Sequence, residues 1–172
     1  MQLIESKTLG TAQASIEFTS IAQNLTDLVF LVSVRTSDGV PAQELRVAFN
    51  GSTSSFSARQ LSGYGSTASS STPVRQIGGS PGTTATANSF NNSTLYIPNY
   101  AGSTNKSYSV DSVSPNNSST DIFTNIVAGL WSNTAAITSV AISSAAGNLV
   151  AGSTISLYGI LKGSDGIVTT SP

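Results

Sequence analysis

Leu28-Val29-Phe30-Leu31-Val32-Ser33-Val34-Arg35 is the segment on which the fold turns. Its β-branched and aromatic residues favour a strand. With a period of two, Leu28, Phe30, Val32 and Val34 share one face, and Val29 and Leu31 share the other. A strand apolar on both faces is expected in the middle of a sheet, covered on both sides. Working outward, Ser15–Phe18 sets Ile16 and Phe18 against Glu17, and Leu3–Leu9 is a further strand. Leu45–Phe49 ends at Asn50-Gly51, a pair that tolerates the positive φ of a type I′ turn, so Phe56–Leu61 is its expected hairpin partner. The Gly-, Ser-, Thr- and Pro-rich stretch from Gly63 to Asn88 reads as long loops around one or two short strands, with Val74–Ile77 its one apolar segment.

Phe90–Ile97 places Leu95 and Ile97 inward and Tyr96 outward, and Lys106–Val113 alternates Tyr108 and Val110 with Ser107, Ser109 and Asp111. Ile122–Trp131 has a helical spacing of apolar residues, but Gly129 and its β-branched content favour a strand. Ile137–Ile142 and Ile155–Ile160 close the set. About ten short strands separated by turn residues predict an all-β fold, an antiparallel β-sandwich of jelly-roll-like character. Residues 1–161 are read as one domain and 162–172 as a C-terminal extension. No fixed repeat and no linker divides the chain.

The chemistry is defined as much by what is missing. In 172 residues there is no histidine and no cysteine, and 9% are charged. Ser and Thr make up roughly 30%, far from ordinary usage. The usual proton shuttle and thiolate nucleophile are therefore lacking. A net charge of -1 and seven dispersed Lys and Arg residues leave no footprint for nucleic acid. No apolar run is long enough to span a bilayer. The N-terminus lacks the basic and apolar regions of a signal peptide.

Each catalytic pattern has a plainer reading. Gly78-Gly79-Ser80-Pro81-Gly82 fits G-x-S-x-G, but a nucleophile elbow needs a histidine base and a following helix, so a Gly/Ser/Pro loop is expected. Asp111 with Asp121, or Glu5 with Glu17, could form a glycosidase pair. Eight acids on a sandwich produce such pairs by chance. Asp38-Gly39 and Asp165-Gly166 read as turns in preference to calcium loops. The Asn-x-Ser/Thr sequons at Asn24, Asn50, Asn92, Asn105 and Asn117 are read as products of composition. No cofactor or metal is expected. Tyr96, Tyr100, Tyr108 and Trp131 could form a stacking platform for a glycan, although such rings equally cover sheet ends and subunit contacts.

Three groups of residues carry a resemblance: Ile4-Glu5-Ser6-Lys7-Thr8-Leu9; Ser15-Ile16-Glu17-Phe18 with Thr26-Asp27-Leu28-Val29-Phe30-Leu31-Val32; and Gly129-Leu130-Trp131, Ala136–Val140 and Ala151–Ile160. In these the chain resembles small β-sandwich virion proteins of tailed bacteriophages, over Leu3 to Ile160. The resemblance implies a non-enzymatic structural protein, made in the host cytoplasm and placed on the particle surface. It implies a capsid decoration or cement protein, a homo-oligomer with a trimer favoured, bound to the major capsid protein. The alternative is a tail-fibre or tail-tip module recognising host glycans. Met1, Gln2 and Leu3 at one end, and Lys162, Ile167 and Val168 at the other, are the expected assembly contacts.

Overall fold

The computed structural model describes residues 1–116 and 123–162. Among the described residues there are twelve strands: β1 (Gln2–Thr8), β2 (Ser15–Phe18), β3 (Leu25–Ser33), β4 (Ala42–Phe49), β5 (Phe56–Tyr64), β6 (Thr67–Ser71), β7 (Gln76–Pro81), β8 (Asn92–Ile97), β9 (Lys106–Ser114), β10 (Phe123–Trp131), β11 (Val140–Ser144) and β12 (Thr154–Leu161). They form two antiparallel sheets. One has eight strands in the order β1-β12-β3-β8-β9-β10-β5-β6, and the other has four in the order β2-β11-β4-β7. Their apolar faces meet in a core that includes Phe18, Phe30, Leu45, Phe49, Leu95, Ile97, Val127 and Ile142. The expected sandwich is present, with twelve strands in place of about ten.

β3 is third in the large sheet, and Leu28, Phe30, Val32 and Val34 are buried as their spacing requires. Among the described residues no second layer covers its other face, contrary to expectation. Val29 is buried because its register partners are the large rings of Tyr158 and Tyr96. Leu31 lies between Ser156 and Thr94, side chains too small to shield it, and stays exposed. Cross-strand neighbours decide burial on this face.

The Asn50-Gly51 turn forms with φ values of 51° and 73°. Ser52 N donates to Phe49 O at 2.8 Å. The expected hairpin does not continue, however: β4 pairs with β11 and β7, whereas β5 pairs with β10 and β6. The chain crosses the sandwich because Phe56 joins an inter-sheet aromatic cluster, 5.4 Å from Phe49 and 6.1 Å from Trp131 between ring centres. The Asn50 side chain fixes the turn to another loop. Its Oδ1 accepts from Thr138 N and Ser139 N, and its Nδ2 donates to Ala136 O.

The stretch after Gly63 is more ordered than its composition implies. β5 and β6 form a hairpin, and the G-x-S-x-G residues belong to buried strand β7 and its end, not to a loop. β7 is an edge strand, and on its unpaired side Gly79 is satisfied from inside the sandwich. Gly79 N donates to Ser112 Oγ at 3.4 Å, and Asn91 Nδ2 donates to Gly79 O at 3.1 Å. Asn91 Nδ2 also reaches Ser93 Oγ, and Ser93 Oγ donates to Ser112 Oγ at 2.6 Å. Gly78 makes this approach possible. Its φ is +90°, and a Cβ there would lie 2.3 Å from Ser112 Cβ.

Buried polar groups also hold the loops. Lys106, on β9, is buried, and its Nζ donates to the carbonyls of Gly102, Thr104 and Thr134. Desolvation pulls its pKa below the usual lysine value. Arg35 donates to Ala85 O, Thr86 O and Ser89 O, which ties down the 85–89 loop.

Candidate functional site

The two sheets differ in size, and this creates a cleft. β7 packs over β9 and β10, so the inner face of β5 and β6 runs out from beneath the small sheet. Along β5, the core-facing residues change from Phe56 and Ala58 to Gln60, Ser62 and Tyr64. The register sets Val127, Asn125 and Phe123 of β10 opposite these three, and Ser71, Ser69 and Thr67 of β6 on their other side. The small sheet contributes Gln43, Glu44, Gln76 and Gly79. The resulting cleft has a volume of about 470 Å³, within the roughly 300–1,000 Å³ range of small-ligand sites.

Its floor is a chain of neutral polar side chains. Gln60 Nε2 donates to Ser62 Oγ at 2.7 Å, and Ser62 Oγ donates to Asn125 Oδ1 at 2.8 Å. Gln60 is 7% exposed and Asn125 4%. Gln60 Oε1 is buried with no hydrogen-bond partner among the described residues. At one wall the rings of Tyr64 and Phe123 stack with centroids 4.4 Å apart and planes 25° apart. Among the described residues the one acid in the lining is Glu44, which is paired with Arg46 at 2.7 Å. Arg75 has its pKa lowered by burial first and by the neighbouring Arg46 second. The lining offers amides, hydroxyls and a ring face, which suit binding and orienting a small neutral polar molecule.

The rings singled out from sequence do not form one platform. Tyr100, Tyr108 and Trp131 are buried in the core. The Tyr100 hydroxyl donates to Ala22 O, and burial raises its pKa. Tyr108 packs edge-on to Phe49, and Trp131 stacks on Phe56. Pleat parity points Tyr108 and Trp131 between the sheets, and Tyr100 is buried from the turn after β8, so none offers a face to a ligand. Tyr96 lies on the outer face, half-buried, and donates to Asp27 Oδ2 at 2.9 Å. That hydrogen bond is the main cause of its raised pKa, with burial second.

Of the expected assembly contacts, Met1, Gln2, Leu3 and Lys162 are exposed, and Ile167 and Val168 lie outside the described residues. Asp111 is exposed on the outer face of β9, whereas Asp121, Asn117 and Asp165 lie outside the described residues. Glu5 pairs with Lys7 at 3.4 Å, and Lys7 Nζ also donates to Glu17 O. Asp38 accepts from Gly39 N and from the Gln43 amide, as a turn residue does. Among the described residues no group of three or more acidic side chains converges in metal-binding geometry.

Two exposed features lay outside the sequence reading. Leu61 and Ile126 are direct register partners on the outer face of the large sheet, 57% and 60% exposed. The sequence reading does not single out the cleft residues: Gln60 falls in the Phe56–Leu61 strand, Phe123 and Asn125 in the Ile122–Trp131 run, Ser62 just past the first of these, and Tyr64 in the stretch read as long loops. The available signal was their parity: polar residues in the positions that Phe56 and Ala58 mark as core-facing. Compared with protein-family models, curated proteins and solved structures, the chain matches none of them.

Proposed function

We propose that this protein is a structural component of a bacteriophage virion, a non-enzymatic decoration or cement protein that stabilises the capsid shell. The observation that carries this reading is the uncovered outer face of the eight-stranded sheet, with the Leu61–Ile126 pair at its centre of exposure. Fully burying a Leu or Ile side chain contributes about 1.5–3 kcal/mol. Half-exposed as they stand, each would add about half of that on docking. The surrounding Ser and Thr side chains suit a wet, hydrogen-bonded contact. Such modest contacts become stable when many copies bind one lattice, because each bound copy raises the effective concentration of the next. The jelly-roll-like connectivity, the homotrimer, the major capsid protein as partner and the particle-surface location all belong to this proposal.

A tail module that binds host glycans through the tyrosine cluster is the weaker reading, since three of its four rings are buried. Light scattering after size exclusion tests the leading one. The wild-type chain is expected to form a small closed oligomer and to add to capsids in hundreds of copies. Leu61→Ser with Ile126→Ser should weaken shell binding while leaving the fold intact. A wild-type chain that stays monomeric and is present at about a dozen copies per particle would overturn the shell reading.

A further inference from the structure

The cleft between β5, β6, β10 and the small sheet carries an inference that does not depend on whether the protein sits on a shell or a tail. We propose that it is a binding site for one neutral saccharide unit, held by Gln60, Ser62 and Asn125 and stacked against Tyr64 and Phe123.

The hydrogen-bond chain on its floor is incomplete. In the assigned orientation Gln60 Oε1 is left over. The Gln60 oxygen thus lacks a partner among the described residues, in a side chain more than nine-tenths buried that lines the cleft; the oxygen itself is covered, so a ligand meets it only when the amide turns toward the cleft. A buried unsatisfied amide is costly and rare in native structures. The complement of this acceptor is a donor, and a sugar hydroxyl donates.

The rest of the lining narrows the ligand. Gln43, Gln60, Gln76, Asn125 and the serines of β5 and β6 supply neutral donors and acceptors. Among the described residues of the lining the one carboxylate, Glu44, is already matched by Arg46, so these residues do not call for a charged ligand. The partly exposed Tyr64 ring offers an aromatic plane to the apolar C–H face of a pyranose. A peptide adding a strand along β7 fits less well, because Gly79 on its open side is already bonded to Ser112 and Asn91.

Saturation-transfer NMR with titration calorimetry tests this. The probes are the methyl glycosides of glucose, galactose, mannose and N-acetylglucosamine, each used with the full chain. At least one should show saturable binding in the millimolar range. Gln60→Leu should reduce its affinity about tenfold or more, the equivalent of one good hydrogen bond, without lowering the melting temperature. A purely structural amide would instead lower stability when lost. Tyr64→Ala should cause a similar loss of affinity and serves as the second variant if Gln60→Leu folds poorly. Tyr96→Phe, outside the cleft, should bind as wild type. The proposal is overturned if none of the four glycosides binds saturably, or if both cleft variants bind as tightly as wild type.

Discussion

Replacing Tyr108 by Phe should make this protein more stable, and more so at alkaline pH. The Tyr108 side chain is 3% exposed, and its hydroxyl has no hydrogen-bond partner among the described residues. Leaving such a group unsatisfied costs about 1–3 kcal/mol. Phe keeps the ring, with its edge contact to Phe49 at 6.0 Å and to Phe56 at 6.5 Å. At neutral pH the variant should therefore gain about 1 kcal/mol or more, which raises the melting temperature of a chain this size by about 2–4 °C per kcal/mol. Burial pushes the Tyr108 pKa up from 10.0 to about 12, with Arg75 pulling weakly the other way.

The folded state therefore holds this proton more tightly than the unfolded state. Its stabilisation is complete below pH 10 and is lost as the pH climbs towards 12. Two units correspond to about 2.7 kcal/mol. Tyr96 and Tyr100, also raised, add to the same alkaline loss in both proteins. Lys106, lowered by burial, acts in the opposite sense, because its unfolded form keeps the proton longer as pH rises. Urea denaturation followed by Trp131 fluorescence from pH 7 to pH 11.5 should show the gap between variant and wild type widening above pH 10. A Phe variant that is less stable at pH 7, or that loses stability above pH 10 as steeply as wild type, would refute the burial argument.

Gly129→Ala places a Cβ 2.0 Å from Tyr108 Cζ, so the ring must move; overpacking of this kind should cost about 1–3 kcal/mol in chemical denaturation. Lys106→Met removes the donor shared by three carbonyls and should destabilise by about 1–3 kcal/mol, with faster amide exchange in the 102–105 turn as its local signature. Asn50→Ala loses the contacts to the 136–139 segment and a residue suited to φ 51°; a melting temperature unchanged from wild type would show that the turn is held by other means.

Much of the fold could be read from residue order alone, because pleat parity is local. Ser15–Phe18 matched its strand, and Leu95, Ile97 and Val110 were placed correctly inside. Strand pairing was harder, since it depends on residues far apart in sequence. The Asn50-Gly51 turn formed as its local chemistry demands, yet its flanking strands joined different sheets under the pull of the Phe49, Phe56 and Trp131 cluster. The Gly78–Pro81 part of β7 reads as loop in sequence because Gly-Gly-Ser-Pro is a poor strand sequence. It is a strand because small residues let its backbone lie close against Ser112. The cleft was the least legible feature. It arises from the unequal strand counts of the two sheets, and no residue type announces that mismatch. Tyr100, Tyr108 and Trp131 drew attention as aromatics, whereas the ring at the cleft with an exposed face is Tyr64.

The side chains that rise to meet Gly79 have a consequence for how copies of this protein behave when crowded. An unpaired strand margin invites another chain to lie alongside it, and unchecked joining of that kind leads to fibres. By spending the N–H and C=O of Gly79 on Ser112 and Asn91, the molecule withdraws the middle of this margin from any stranger. Runaway polymerisation would have to start at β1, β2 or β6, the margins left at the other three borders of the two sheets.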